Sequence, residues 1–289
     1  MKKLHLTKEK LKNVKADIEN RNDYIGGSDI GTIMGLNDFK SPYALWSEKV
    51  GLTTPEDISG KIPVWLGTMT EEINGKLFQK ETGKKVKRSK IAYGVEEYPY
   101  LRGHIDYLVV GEDAGLECKF TGFNKYDYES NEVPPSHFAQ CQFYMLVTGR
   151  KAWYLSTIQG NRYHINRIER DEEFIERMLD ACEDFMRHVT EADPPEVDGS
   201  PSTSNAIAAM YPQEEMGESV DLDKYDGELI ALQELANQKK SLDVLAEKYK
   251  NEIKLALGTA EYGESSQFKV TWKTDKRGAR VFRFKEKEL

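Results

Sequence analysis

The sequence predicts a mixed α/β (α+β) protein: a sheet with helices packed on it, followed by a long helix and a β-hairpin. Three observations carry that reading. Short alternating, β-branched or aromatic segments near 91–95, 100–110, 116–120, 151–158 and 163–168 are interleaved with stretches of helical period. The segment His137–Thr148 is apolar nearly all round, the pattern of a helix buried between layers. A Pro-, Gly- and Ser-rich break at 192–205 reads as a linker, dividing a body (1–191) from an extension (206–289).

Taken in order, the lysine-rich residues 1–20 have a weak apolar spacing that suggests a short helix. Ile25-Gly26-Gly27-Ser28-Asp29 reads as a loop entering a helix, with Ser28 or Asp29 as N-cap, Ile30, Ile33 and Met34 inward, and Gly35 at the end. A plain capped helix is the simpler explanation, but a glycine-led helix start also suits a phosphate. Ser41-Pro42 opens the next helix, with Tyr43, Leu45, Trp46 and Val50 apolar and Gly51 as its stop. A third helix is expected from Trp65 to Thr82, with Ile73, Leu77 and Phe78 as its buried stripe and Gly83 as its cap. Glu71 and Glu72 then fall in its first turn, where the helix dipole favours acids.

Lys84–Lys90 carries five positive charges, a solvated face or a phosphate track. Tyr100–Val110 reads as one strand, Gly111–Gly115 as a turn and Leu116–Phe120 as the returning strand. Alternation puts Glu117 and Lys119 on one face and Leu116, Cys118 and Phe120 on the other. Within His137–Thr148, Gln140 and Gln142 need partners, because an unpaired buried amide is costly. Lys151–Ile158 and Tyr163–Ile168 form a hairpin, and Asp171–Val189 is a clear amphipathic helix. Beyond the break, Leu222–Leu257 is a long helix whose apolar stripe needs a partner surface. The closing hairpin, Gln267–Lys273 and Arg280–Lys285, holds seven basic residues against one acid, Asp275; a solvated edge competes with a DNA or partner contact.

Composition narrows the classes. Charged residues make up 31% and aromatics 10%, a balance that fits a packed globular chain rather than a disordered one. No apolar run approaches the roughly 18 residues needed to span a bilayer, and the lysine-rich start lacks the apolar core of a signal peptide, so a cytoplasmic address without membrane contact is expected. Cys118, Cys141 and Cys182 are scattered without CxxC spacing, which argues against a disulfide framework, a zinc site or an iron–sulfur cluster. The net charge of −8 does not exclude nucleic acid, since basic residues can be confined to one groove.

Asp106 and the tripeptide Glu117-Cys118-Lys119 carry the chemistry. Two carboxylates on adjacent strands can converge on one Mg²⁺, the carbonyl of Cys118 can add a third oxygen, and one or two such ions serve phosphodiester hydrolysis. Lys119 would present its ammonium to the attacking water or the scissile phosphate, with desolvation lowering its pKa toward a proton-transfer role. Glu71 can complete the metal shell, and Gln140 can bind the nucleophilic water or a ligand.

Four blocks in this order, Ile25–Gly35 (IGGSDIGTIMG), Trp65–Glu71 (WLGTMTE), Asp106 with Glu117–Lys119, and Ala139–Leu155 (AQCQFYMLVTGRKAWYL), resemble the YqaJ-type viral recombinases, relatives of phage lambda exonuclease among the PD-(D/E)XK nucleases. The resemblance implies a restriction-endonuclease-like core with a central mixed sheet flanked by helices. It implies a 5′-to-3′ exonuclease on double-stranded DNA ends that uses Mg²⁺, with Mn²⁺ as a substitute, at two ions per site. The product would be a 3′ single strand handed to an annealing protein of a phage or prophage system, and the enzyme a ring-shaped homotrimer. By position, Asp106, Glu117 and the Cys118 carbonyl match metal ligands, and Lys119 the catalytic lysine. Glu71, rather than Glu72, matches the upstream acid, Gln140 the supporting glutamine, and Arg21 with Ser28 the grip on the 5′-phosphate. The stretch between Lys119 and Gln140 and everything after Ala192 depart from the lambda pattern. An endonuclease of the same fold and a non-catalytic DNA-end-binding module are the competing readings.

Overall fold

The computed structural model describes residues 13–16, 21–122, 126 and 128–287; the side chains of 13–16, Arg21 and Glu129 are outside that description. The chain divides into two compact units, Met1–Glu214 and Glu215–Leu289.

In the first unit a five-stranded mixed sheet has the order β2 (Val86–Arg88), β5 (Tyr107–Val109), β6 (Ala114–Thr121), β7 (Ala152–Gln159), β8 (Arg162–Glu169). Its neighbours run antiparallel except β6 and β7, which are parallel and joined through α4 (Pro135–Thr148), because parallel neighbours need a long crossover. One face packs on α3 (Ile62–Thr82), where Phe78, Tyr107, Val109, Leu116 and Tyr154 form a cluster. The larger core, with Trp153, Leu155, Phe143, Met145 and Leu146, gathers α4, α1 (Gly27–Ile33), α2 (Pro42–Lys49) and α5 (Glu172–Glu191). A smaller sheet has the order β1 (Asn13–Ala16), β3 (Ala92–Val95), β4 (Tyr98–His104).

Several expectations are corrected. Asn13–Ala16 pairs with β3 as a strand rather than continuing a helix; the remainder of 1–20 lies outside the described residues. Tyr100–Val110 is two strands in different sheets, not one, and the chain crosses between them at Ile105-Asp106. Helix α3 begins at Ile62, so Glu71 and Glu72 are mid-helix, and Ile73 is exposed on the face away from Phe78. The N-cap of α1 is Gly26: Asp29 sits three residues on and its carboxylate accepts the Gly26 N–H at 3.0 Å. Ser41 does cap α2, accepting from the Ala44 N–H, and Asp171 caps α5 in the same way.

The stretch read as a linker, 192–205, is helical from Pro201 as part of α6 (Pro201–Met210). Thr203 is buried and donates to Ser41 at 2.8 Å, so hydroxyls in a low-complexity stretch tie this helix to the start of α2. In the second unit α7 (Asp226–Leu257) contains no buried residue. A three-stranded antiparallel sheet follows: β9 (Tyr262–Glu264), β10 (Phe268–Thr274), β11 (Arg280–Glu286), one strand more than the hairpin pattern predicts.

Candidate active site

Strand β6 delivers Glu117 and Lys119 to the α4 face by its period of two, while Leu116 packs against the α3 cluster behind. Strand β5 accompanies β6 only at Leu116 and Gly115, so the edge of β6 is open at Cys118. Asp106, at the crossing between the two sheets, closes it: its carboxylate accepts the Cys118 N–H at 2.8 Å. The Asp106 carbonyl accepts the Ser89 N–H at 3.0 Å, which fixes the crossing from the other side.

Helix α4 supplies Gln140, itself buried. Its Oε1 accepts from Lys119 Nζ at 2.9 Å, while its Nε2 donates to Glu117 Oε1 at 3.0 Å and to the Tyr144 hydroxyl at 2.7 Å. Lys119 Nζ also lies 2.7 Å from Glu117 Oε1. Gln142, two residues on, faces elsewhere: it bonds the Glu169 carbonyl and the Asp171 N–H, so it joins α4 to β8 and α5 rather than serving the site.

The electrostatics are those of acids crowded in a poorly solvated place. Burial, then repulsion by Glu117, holds the Asp106 carboxyl well above the usual carboxylate range. Burial pulls the Lys119 ammonium down, but the adjacent Glu117 charge outweighs it and the net shift is upward. The lowered lysine expected from desolvation is not found: the neighbouring Glu117 charge turns the shift upward. Glu117 Oε2 is buried and has no hydrogen-bond partner among the described residues.

Glu71 projects from the middle of α3 and pairs with Arg88 of β2 at 2.7 Å, yet is near enough for its charge to raise Asp106. Among the described residues no three His, Cys, Asp or Glu side chains are gathered into a metal site. The donor set is therefore two carboxylates, Asp106 and Glu117, with the Cys118 carbonyl on the strand between Glu117 and Lys119. That set fits Mg²⁺, which keeps several waters and takes one or two carboxylates, and the orphaned Glu117 oxygen is an acceptor awaiting a cation or a donor.

Helix α1 meets α4 through the glycines of IGGSD. A Cβ on Gly27 would lie 2.7 Å from the Tyr144 ring, so this glycine serves a close approach between helices. Ser28 is exposed at the next position, and Arg21 opens a 3₁₀ turn (Arg21–Asp23) with its side chain outside the described residues. The two are thus not shown converging on one point. Three supporting residues had no sequence signal of their own. Tyr144 hid in an apolar helix, and Arg88 in the lysine-rich run. Asn74 is buried three residues after Glu71, its Nδ2 donating to the Lys119 and Ser156 carbonyls at 3.0 and 2.9 Å. The spacing of Asn74 from Glu71 on one helix face is the clue that could have found it.

A mixed sheet thus carries, on one of its central strands, a carboxylate and a lysine that meet a second carboxylate and a supporting glutamine, a donor set suited to a divalent cation. Residues 18–151 match the model of the YqaJ-like viral recombinase domain. The uncharacterized protein YqaJ of Bacillus subtilis (strain 168) is 35% identical over 255 residues, covering 86% of this chain and 80% of the relative. The chain belongs to the YqaJ-like family. Among solved structures, the alkaline exonuclease LHK-Exo of Laribacter hongkongensis has the same fold, with a TM-score of 0.51, 20% identity, and 60% of this chain covering 90% of that one. The same enzyme in complex with dAMP matches equally.

Proposed function

We propose that the protein is a Mg²⁺-dependent exonuclease that degrades one strand of double-stranded DNA from its 5′ ends, leaving 3′ single strands. The observation that carries this reading is the bonded set Glu117–Gln140–Lys119 beside Asp106, with one oxygen of Glu117 left without a partner. Asp106 and Glu117 would hold the cation, with the Cys118 carbonyl as a further donor; when bound, it supplies an activated water and stabilises charge on the leaving oxygen. The chain's own groups do the rest. The Cys118 N–H fixes the orientation of Asp106. The Lys119 ammonium, kept charged by Glu117, stabilises negative charge building on the phosphate. Gln140, braced by Tyr144, holds Lys119 and Glu117 in register. Glu71, part-neutralised by Arg88, adds negative potential that favours a second cation.

The polarity, the grip of Arg21 and Ser28 on the 5′-phosphate, the use of Mn²⁺, the homotrimer and the annealing partner rest on the family resemblance. The fold shared with an exonuclease that has been crystallised with a nucleoside monophosphate supports the choice of exonuclease over endonuclease. One assay tests the whole reading: linear duplexes with 5′-phosphate or 5′-hydroxyl ends and a closed circle, each with Mg²⁺, Mn²⁺ or EDTA. Release of nucleotides from 5′-phosphorylated linear duplex with either cation is expected, with the circle intact and EDTA abolishing activity. Cutting of the circle makes it an endonuclease. Lys119→Ala and Asp106→Asn are expected to lower the rate by about 10²–10³-fold. Wild-type rates from both would remove the site assignment.

A further inference from the structure

The C-terminal sheet separates its side chains by chemistry. Strand register puts Phe268, Val270 and Trp272 of β10 on the same face as Phe282 and Phe284 of β11. Arg280 lies on that face too, stacked on Trp272 at 3.6 Å, and its guanidinium donates to the Gly258 and Ala260 carbonyls just beyond α7. Arg280, with Lys254 over the Phe282 ring, ties one end of that face to the end of α7, while Phe284 remains 65% exposed.

The opposite face is cationic. Lys269 stands directly across from Lys285, Thr271 across from Arg283, and Lys273 across from Val281, with Lys287 continuing the row. Like charges directly opposed on a sheet repel, and the cost is not offset by acids in equal number. Glu264 serves Lys287 at 2.9 Å and Lys269 at 3.9 Å, and Glu261 serves Lys273 at 3.4 Å. From residue 261 to the end there are eight basic and five acidic side chains, in a chain whose net charge is −8. A cationic face kept within an acidic protein, opposite the aromatic side of the same sheet, fits an extended polyanion.

We propose that this face, Lys269, Lys273, Arg283, Lys285 and Lys287, is a sequence-independent contact for the phosphate backbone of duplex DNA, on a different structural unit from the cutting site. It rests on the reading that the protein acts on DNA. Its contribution is to hold duplex during repeated cleavage, not to cleave. A short duplex saturating the site would be cut at the normal rate without it, while long duplex would be released early.

The test uses the full chain. The quadruple variant Lys269→Gln, Lys273→Gln, Arg283→Gln, Lys285→Gln is compared with wild type and with Lys269→Arg, Lys273→Arg, Arg283→Lys, Lys285→Arg, which keeps the charge. Binding of a fluorescent blunt duplex is titrated in EDTA at several salt concentrations, and thermal midpoints check that the sheet folds. The neutral variant is expected to bind at least tenfold more weakly near 0.1 M salt. Its slope of log affinity against log salt should be shallower by about 2–4, near 0.9 per lost phosphate contact. The charge-keeping variant should match wild type, and the neutral variant should shorten the run of nucleotides removed per encounter. An unchanged affinity and slope in a folded neutral variant overturns the proposal and leaves the face for an acidic protein partner. If wild type cleaves DNA and the slopes coincide, this inference alone fails. If wild type binds through this face but never cleaves, the nuclease reading fails and this one stands.

Discussion

Gln140 touches three functional groups with one amide, and each end of that amide has only one orientation that satisfies them all. Its Nε2 must donate to Glu117 and to the Tyr144 hydroxyl, so its Oε1 is left for Lys119. Tyr144→Phe removes one of these bonds without emptying the helix. A single buried hydrogen bond is worth about 1 kcal/mol, so a fall in kcat of up to about tenfold is expected with little change in fold. A larger loss in Gln140→Ala than in Tyr144→Phe, measured on the same duplex, checks the order of dependence. His137, one turn before Gln140 on α4, has an Nδ1 that is buried without a partner among the described residues, and burial and then the Lys119 charge lower its pKa to about 3. The folded protein keeps this ring neutral where the unfolded chain protonates it below about 6.5. Stability from this residue is therefore full above pH 6.5 and is lost as pH falls toward 3. Between pH 7 and 5 the loss is at most about 2 kcal/mol, and urea midpoints of wild type and His137→Gln should converge as pH drops.

At the scale of elements, the site depends on how closely α1 and α4 approach. Gly27→Ala forces a methyl onto the Tyr144 ring, whose hydroxyl braces Gln140. Overpacking of this kind costs about 1–3 kcal/mol, and here the displacement should also reach the site. Both the denaturation midpoint and kcat are expected to fall, whereas Gly60→Ala, with open space around it, should change neither. The ion pair of Asp29 and Lys49, buried at 3.3 Å beneath this junction, fixes the start of α1 against α2. Helix and strand types were legible because periodicity is a local property: α5, α4, β6 and β8 fall where the pattern puts them. Where two segments read as one, the cause was tertiary. The strand through Asp106 looked continuous, but its halves bond to different neighbours, and only the pairing partners could reveal the break.

For the molecule as a whole, the crowded acids predict a stability that responds to a divalent cation. Asp106 and Glu117 repel each other and both lie in poorly solvated surroundings, so a divalent ion that binds only the folded state should raise the thermal midpoint. Millimolar Mg²⁺ is expected to stabilise wild type, and the increment should vanish in Asp106→Asn with Glu117→Gln. An equal increment in both would place the bound ion elsewhere. The second unit presents the opposite case: α7 buries nothing, with Leu232, Leu235, Leu242 and Val244 all exposed.

The sequence by itself determined the alternating strand that sets Glu117 and Lys119 on one face, the amphipathic helices and the family. Each of these depends on neighbours in the chain or on short motifs. Only the tertiary structure decided which amide oxygen meets Lys119 and that the Glu117 carboxylate lies against its ammonium. It also decided that Asp106 closes an open strand edge, that Glu71 is countered by Arg88, and that the end of a stretch resembling a linker, from Pro201, starts a helix packed on α2. Those outcomes depend on groups far apart in sequence meeting in a medium of low polarity, where pairing and solvation reverse what each residue would do alone.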